Sequence, residues 1–194
     1  MQKRLEKFVL HLHKKYGITP DILTYLRIFS APWLALLVSK ILSNKSLVLA
    51  IFTVLLYVLI VSTDFLDGIL ARELSKTEKH DHTRGGMLDR LSDKIFIIFL
   101  LIPFGFNLFT FLIILVESML AYQAIQAPAE KKQATRVGKM KMILQAVLIP
   151  VLILQAATNL IPDMLVYLYI IVVIVFTCAS AYSHYSHYLN FKNE

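Results

Sequence analysis

Six apolar stretches, each near the ~20 residues that carry a helix across a bilayer, leave this chain little choice of fold. They run from about Ile22 to Ile41, Leu47 to Leu74, Leu88 to Phe106, Leu108 to Ala127, Val137 to Ala157 and Met164 to Tyr188. Inside a bilayer every backbone N–H and C=O must find its partner within the protein, so only helices and closed barrels cross it. Apolar runs this long predict helices. Composition supports the reading, with 57% of the 194 residues hydrophobic and 17% charged, the balance of an integral membrane protein. The expected architecture is all-α: a single membrane domain over 1–194, with six transmembrane helices between 20 and 190.

The punctuation agrees. Gly17, Pro20 and Asp21 precede the first stretch, SNKS (43–46) joins it to the second, and Pro103, Pro128 and Pro162 fall at connections. Pro150 lies inside the fifth stretch, where a kink is expected in place of a break. Residues 1–16 carry Leu5, Phe8, Val9 and Leu12 on one face and Lys or Arg on the other. That pattern predicts a short amphipathic helix lying in the headgroup region, not a signal peptide. The one cysteine, Cys178, rules out an internal disulfide and reads as a small buried apolar residue.

Basic residues orient the bundle. With the N-terminus inside, Lys40 and Lys45 alone among the 20 Lys and Arg residues fall outside, and all the others on the cytosolic side. The net charge of +7 is accounted for by anionic headgroups and phosphate-bearing substrates, so no nucleic-acid partner is expected.

Against this background the stretch DFLDGILARELSKTEKHDHTRGGMLDRLSDK, from Asp64 to Lys94, stands out. It sets Asp64 and Asp67 just after one apolar run and Asp89 and Asp93 just before the next. Charge at the end of a membrane segment is costly unless it faces a cavity, a partner or water. On a helix, Asp67 lies about 60° around from Asp64, Gly68 about 40° and Ala71 about 20°, with Arg72 at the border near 80°. Asp89 and Asp93 form an i, i+4 pair, with Gly85 one turn earlier on the same face. Two helices thus present carboxylates suited to hard cations, interspersed with residues small enough for a ligand to approach the backbone. Carboxylates this dense repel one another unless protonated or bridged by metal. One or two such acids could be helix caps or solvated charges; four in register on two helices point to a site.

The same residues resemble the CDP-alcohol phosphatidyltransferase family. Asp64, Asp67, Gly68, Ala71 and Arg72, followed by Gly85, Asp89 and Asp93, match every fixed position of its D-x-x-D-G-x-x-A-R and G-x-x-x-D-x-x-x-D signature. The spacer from Glu73 to Arg84 is about one helical turn longer than the family's usual one. The resemblance implies two divalent ions, Mg2+ or Mn2+, held by Asp64, Asp67, Asp89 and Asp93, with Asp93 also the catalytic base. It implies a CDP site lined by Asp67, Gly68, Ala71, Arg72 and Gly85, CDP-diacylglycerol as donor, CMP as leaving group, and a homodimer in the bilayer.

Two further stretches bear on the acceptor. TPDILTYLRIFSAP (19–32) is similar to the P-N-x-x-T-x-x-R opening of the phosphatidylglycerophosphate synthase branch, with Asp21 in place of Asn, and its Arg27 is expected to face a polar cavity. ATRVGKMKMILQ (134–145) is similar to that branch's G-K-x-K-T-x-x-Q, with Met142 in place of Thr. Arg136, Lys139, Lys141 and Gln145, together with Arg27, are expected to receive an acceptor phosphate. The reading is transfer of a phosphatidyl group to a small phosphorylated alcohol, glycerol 3-phosphate first. The alternatives are phosphatidylglycerol, inositol phosphate or serine as acceptor, or a cation transporter that uses its membrane acids. A transporter would set acids nearer mid-membrane and show internal repeats. Glu117 and Gln123 read as helix-packing contacts, and His80, Asp81 and His82 as a solvated loop.

Overall fold

A computed structural model of the chain describes Lys15, Gly17 and residues 19–77, 82–126 and 136–192; the side chains described are those outside 65, 67, 71–77, 82–90, 124, 126, 184 and 187–192. Among the described residues six helices follow one another: α1 (Pro20–Asn44), α2 (Leu47–Thr77), α3 (His82–Leu101), α4 (Leu108–Gln126), α5 (Arg136–Thr158) and α6 (Asp163–Lys192). A 3₁₀ turn, Ile102–Phe104, follows α3. Among the described residues there is no strand. Among the described residues four helical stretches are long and apolar enough to cross a membrane: Pro20–Asn44, Leu47–Leu70, Arg136–Thr158 and Asp163–Ser183. Leu108–Gln123 is a shorter apolar helix. The interfacial helix expected over 1–16 lies outside the described residues, Lys15 excepted.

Local chemistry sets the helix ends. Thr19 caps α1 through its side-chain oxygen, which accepts from the Ile22 N–H at 3.4 Å, and Pro20 takes the first helical position, where no N–H is needed. At the other end Lys45 adopts the left-handed conformation (φ 48°) and its N–H closes on the Ile41 carbonyl. Asn107 caps α4 by accepting from the Phe109 and Thr110 N–H groups at 3.1 and 3.0 Å. Gln155 ties the α5–α6 turn together, donating to the Ile161 carbonyl and to Asp163 while accepting from the Ile161 N–H. The third helix departs from the third apolar stretch at both ends. It stops at Leu101, ahead of Pro103, and it begins at His82, so that Asp89 and Asp93 lie inside it.

The buried side of α1 is Thr24, Arg27, Ala31, Leu34, Val38 and Ile41. Alternating steps of three and four residues make this the narrow seam of a left-handed helix pair. It packs against α2 and α3, and α5 touches it as well; α6 bridges α4 and α5 to close the bundle. The core joins Ala50, Tyr57 and Ile60 of α2, Phe96 and Leu100 of α3, Ile113 of α4, Leu148, Ile149 and Ile153 of α5, and Val173 of α6. The outward faces are equally apolar: Trp33 is 70% and Phe29 69% exposed, as lipid-facing side chains are. Cys178, expected in the core, is exposed on α6 among these residues.

Helix α5 runs through Pro150 without interruption. Proline has no N–H to give the carbonyl four residues back, here that of Ala146. The Tyr57 hydroxyl, from α2, donates to the Ala146 carbonyl at 3.1 Å, and the Tyr57 ring stacks on Phe96 with centroids 5.8 Å apart. A second tyrosine, Tyr169, donates to the Leu144 carbonyl at 2.9 Å. The Tyr57 side chain thus satisfies the carbonyl that the proline leaves open, as a lipid setting requires.

Candidate active site

The seam of α1 becomes polar near its start, and there it meets the acids. Arg27 has a side chain only 2% exposed. Its Nη2 lies 3.0 Å from Asp64 Oδ1 on α2, and its Nη1 lies 2.6 Å from Asp93 Oδ1 on α3. The same Nη1 donates to Ser92 Oγ at 3.2 Å. A buried guanidinium without partners would cost several kcal/mol; the fork geometry of arginine lets one group hold two carboxylates at once. The acids are more open than the arginine, at 35% for Asp64 and 29% for Asp93. Arg27 therefore closes the pair from within the bundle, while the carboxylates keep an open side.

Of the four aspartates, Asp64 and Asp93 are brought together on one cation. Asp67 lies one turn beyond Asp64 on α2, and Asp89 one turn before Asp93 on α3; their side chains, with those of Ala71, Arg72 and Gly85, lie outside the description. Gly68 is described, and no heavy atom of the described neighbours lies within 4 Å of where its Cβ would stand. Among the described residues no group of three or more His, Cys, Asp or Glu gathers. The donors are of the kind a divalent ion takes: two hard carboxylate oxygens from adjacent helices meet the two ends of one guanidinium, which stands there as the cation.

The residues expected at an acceptor phosphate divide into three places. Arg136 and Lys139, at the start of α5, are exposed. Lys141 and Gln145 point into the bundle and are buried. Arg27 stands with the acids. The partner of Lys141 is Glu117 on α4: Nζ to Oε1 is 2.5 Å, with the two side chains 7% and 1% exposed. Gln145 Nε2 donates to the same Glu117 oxygen at 2.7 Å and also approaches Thr177 Oγ1 of α6 at 3.4 Å. Glu117 is thus more than a packing contact, since it pairs with the buried lysine and ties α4 to α5, while Gln145 carries the link on to α6. The available signal was an acid at mid-helix in an apolar segment, which demands a partner; the lysine that answers it lies on another helix, 24 residues further along the chain.

The family model for CDP-alcohol phosphatidyltransferase matches residues 17–179. The chain belongs to the CDP-alcohol phosphatidyltransferase family, a class of membrane transferases that move a phosphatidyl-type group from a CDP-alcohol to a second alcohol. No curated protein matches it. Its apolar helices and its family make it a multi-pass membrane protein of phospholipid synthesis.

Proposed function

We propose that the chain transfers the phosphatidyl group of CDP-diacylglycerol to glycerol 3-phosphate, giving phosphatidylglycerophosphate and CMP. The observation that carries a reaction centre at this place is the convergence of Asp64 and Asp93, one from each half of the signature, on a single cation at the polar end of the α1 seam. In this reading all six helices cross the bilayer as one domain, the signature opens to the cytosol, and two copies form a homodimer.

Asp64, Asp67, Asp89 and Asp93 would hold two divalent ions, Mg2+ or Mn2+. Bound there, the ions would neutralise the pyrophosphate and stabilise CMP as it leaves. Asp67, Gly68, Ala71, Arg72 and Gly85 line the CDP group, and a glycine at position 68, with no described atom within 4 Å of where its Cβ would stand, suits a ligand pressed against the helix backbone. Asp93 takes the proton of the acceptor hydroxyl. The freed oxygen attacks the β-phosphorus in line, a new P–O bond forms, and the P–O bond to CMP breaks. Arg136 and Lys139 at the mouth of α5, with Lys141 and Gln145 beneath them, receive the acceptor's phosphate. A dianionic group gains more from such a cluster than a neutral alcohol does, through charge-assisted hydrogen bonds.

Arg136 and Lys139 offer the clean test, because replacing Lys141 would also strip Glu117 of its buried partner. Arg136→Ala and Lys139→Ala should each raise the KM for glycerol 3-phosphate, by roughly tenfold for a contact of about 1.5 kcal/mol, and leave the KM for CDP-diacylglycerol unchanged. Equal weakening of both substrates would misplace the acceptor. Met142 and Asp21 depart from the branch pattern, and they favour testing a second reading in the same assay. CMP release with serine or free inositol as fast as with glycerol 3-phosphate would move the protein to another acceptor.

A further inference from the structure

The oxygens that Arg27 holds belong to the carboxylates assigned above to divalent ions. Its guanidinium donates through Nη1 and Nη2 to one acid on each of the two signature helices. Lone pairs directed at those N–H groups are not directed at a metal, and a fixed positive charge at contact distance opposes the approach of a second cation. Ser92, fully buried beside Arg27, supplies a further acceptor to Nη1, so the guanidinium keeps an acceptor when the carboxylates turn to another cation. The asymmetry of burial gives the geometry: the arginine is enclosed, and the acids are open on the other side.

We propose that Arg27 is a built-in counter-cation of the acid cluster, which makes Asp64 and Asp93 tolerable side by side in the metal-free chain and competes with divalent ions for them. The proposal rests on the metal-dependent reading of the site. Arg27 is a positioning residue in this account: it sets how tightly the cluster holds its ions and keeps α2 and α3 together before they arrive. Binding linkage is reciprocal, so the part of Arg27's hold on the carboxylates that an ion must break is withdrawn from metal affinity.

The test is Mn2+ binding to the purified full-length protein in detergent, followed by the electron-paramagnetic signal of free Mn2+, with thermal unfolding measured in parallel. Arg27→Gln removes the charge and keeps a hydrogen-bonding group. It should unfold at lower temperature than the wild type without metal, bind Mn2+ roughly tenfold more tightly or better, and gain more thermal stability from Mn2+ than the wild type does. Unchanged or weaker Mn2+ binding would overturn the proposal and leave Arg27 as a structural brace. Should Arg27→Gln fail to fold, Arg27→Lys carries the test. One ammonium cannot hold both carboxylates as the fork does, so Mn2+ should still bind more tightly than to the wild type, and equal or weaker binding would again overturn it. A wild type that binds no Mn2+ would take down the metal reading itself, an outcome distinct from ordinary binding that Arg27 does not influence.

Discussion

Asp93→Asn should fold and should lose CMP release by roughly 10²–10⁴-fold, the range for removal of a general base. The asparagine retains an oxygen that can accept from Arg27 Nη1, so the link between α1 and α3 seen at 2.6 Å survives in weakened form and the bundle stays assembled. What disappears is the negative charge and the capacity to take a proton. Asp64→Asn, Asp67→Asn and Asp89→Asn should likewise abolish turnover, because each removes an anionic oxygen from the proposed ion pair of the site. Near-native unfolding temperatures beside lost CMP release would place the loss in the chemistry. Full activity in any two of the four variants would remove the shared-metal mechanism.

Glu117→Ala should be the most destabilising single change outside the signature. Two estimates compete. An interhelical hydrogen bond within a membrane protein contributes only about 0.6 kcal/mol on average, whereas a buried charge stripped of its partner costs about 3–5 kcal/mol. The second applies to Glu117→Ala, because the Lys141 ammonium, 7% exposed, loses its counter-ion. The first applies to Thr177→Val, which removes the 3.4 Å approach of Gln145 and the hydroxyl's own bond to the Val173 carbonyl within α6, all between neutral groups. Replacing both charges, Glu117→Met with Lys141→Met, should recover most of the loss, since paired removal leaves no uncompensated charge. Unfolding in detergent measures all three. A double variant as unstable as Glu117→Ala would show that the pair's charges are not what holds α4 to α5.

How much of this was legible beforehand follows from what each residue type can signal. Runs of apolar residues announced the helices well, and α2 and α4 begin at Leu47 and Leu108 as expected. Helix α3 was legible only in part. Its opening from His82 to Gly86 carries no apolar signal, yet it belongs to the same helix. Which side of each helix faces the core was not legible. Inside a bilayer Trp33 and Leu34 are equally apolar neighbours, one directed to lipid and the other to the seam. In a soluble protein an amphipathic stripe would separate them; here only Thr24 and Arg27 mark the seam. The acids marked a candidate site, and the structure brings two of them, Asp64 and Asp93, onto one cation. That the cation is Arg27 depends on a contact between residues far apart in the chain, and no local pattern encodes it. The same holds for Lys141 and Glu117. Charge and spacing pointed Lys141 towards an acceptor phosphate, but its depth in the bundle gave it an internal acid first.

One measurement bears most directly on the central claim, that carboxylates on two adjacent helices of this family member act through divalent ions on a CDP-linked lipid. Purified protein in detergent is given CDP-diacylglycerol, glycerol 3-phosphate and Mn2+, and released CMP is followed before and after EDTA and again after excess Mn2+ is restored. The account predicts CMP release that stops with chelation, returns with the ion, and is matched mole for mole by a phosphatidyl product. CMP release that continues undiminished in EDTA, or no release from any CDP-linked lipid with Mn2+ or Mg2+ present, would contradict it.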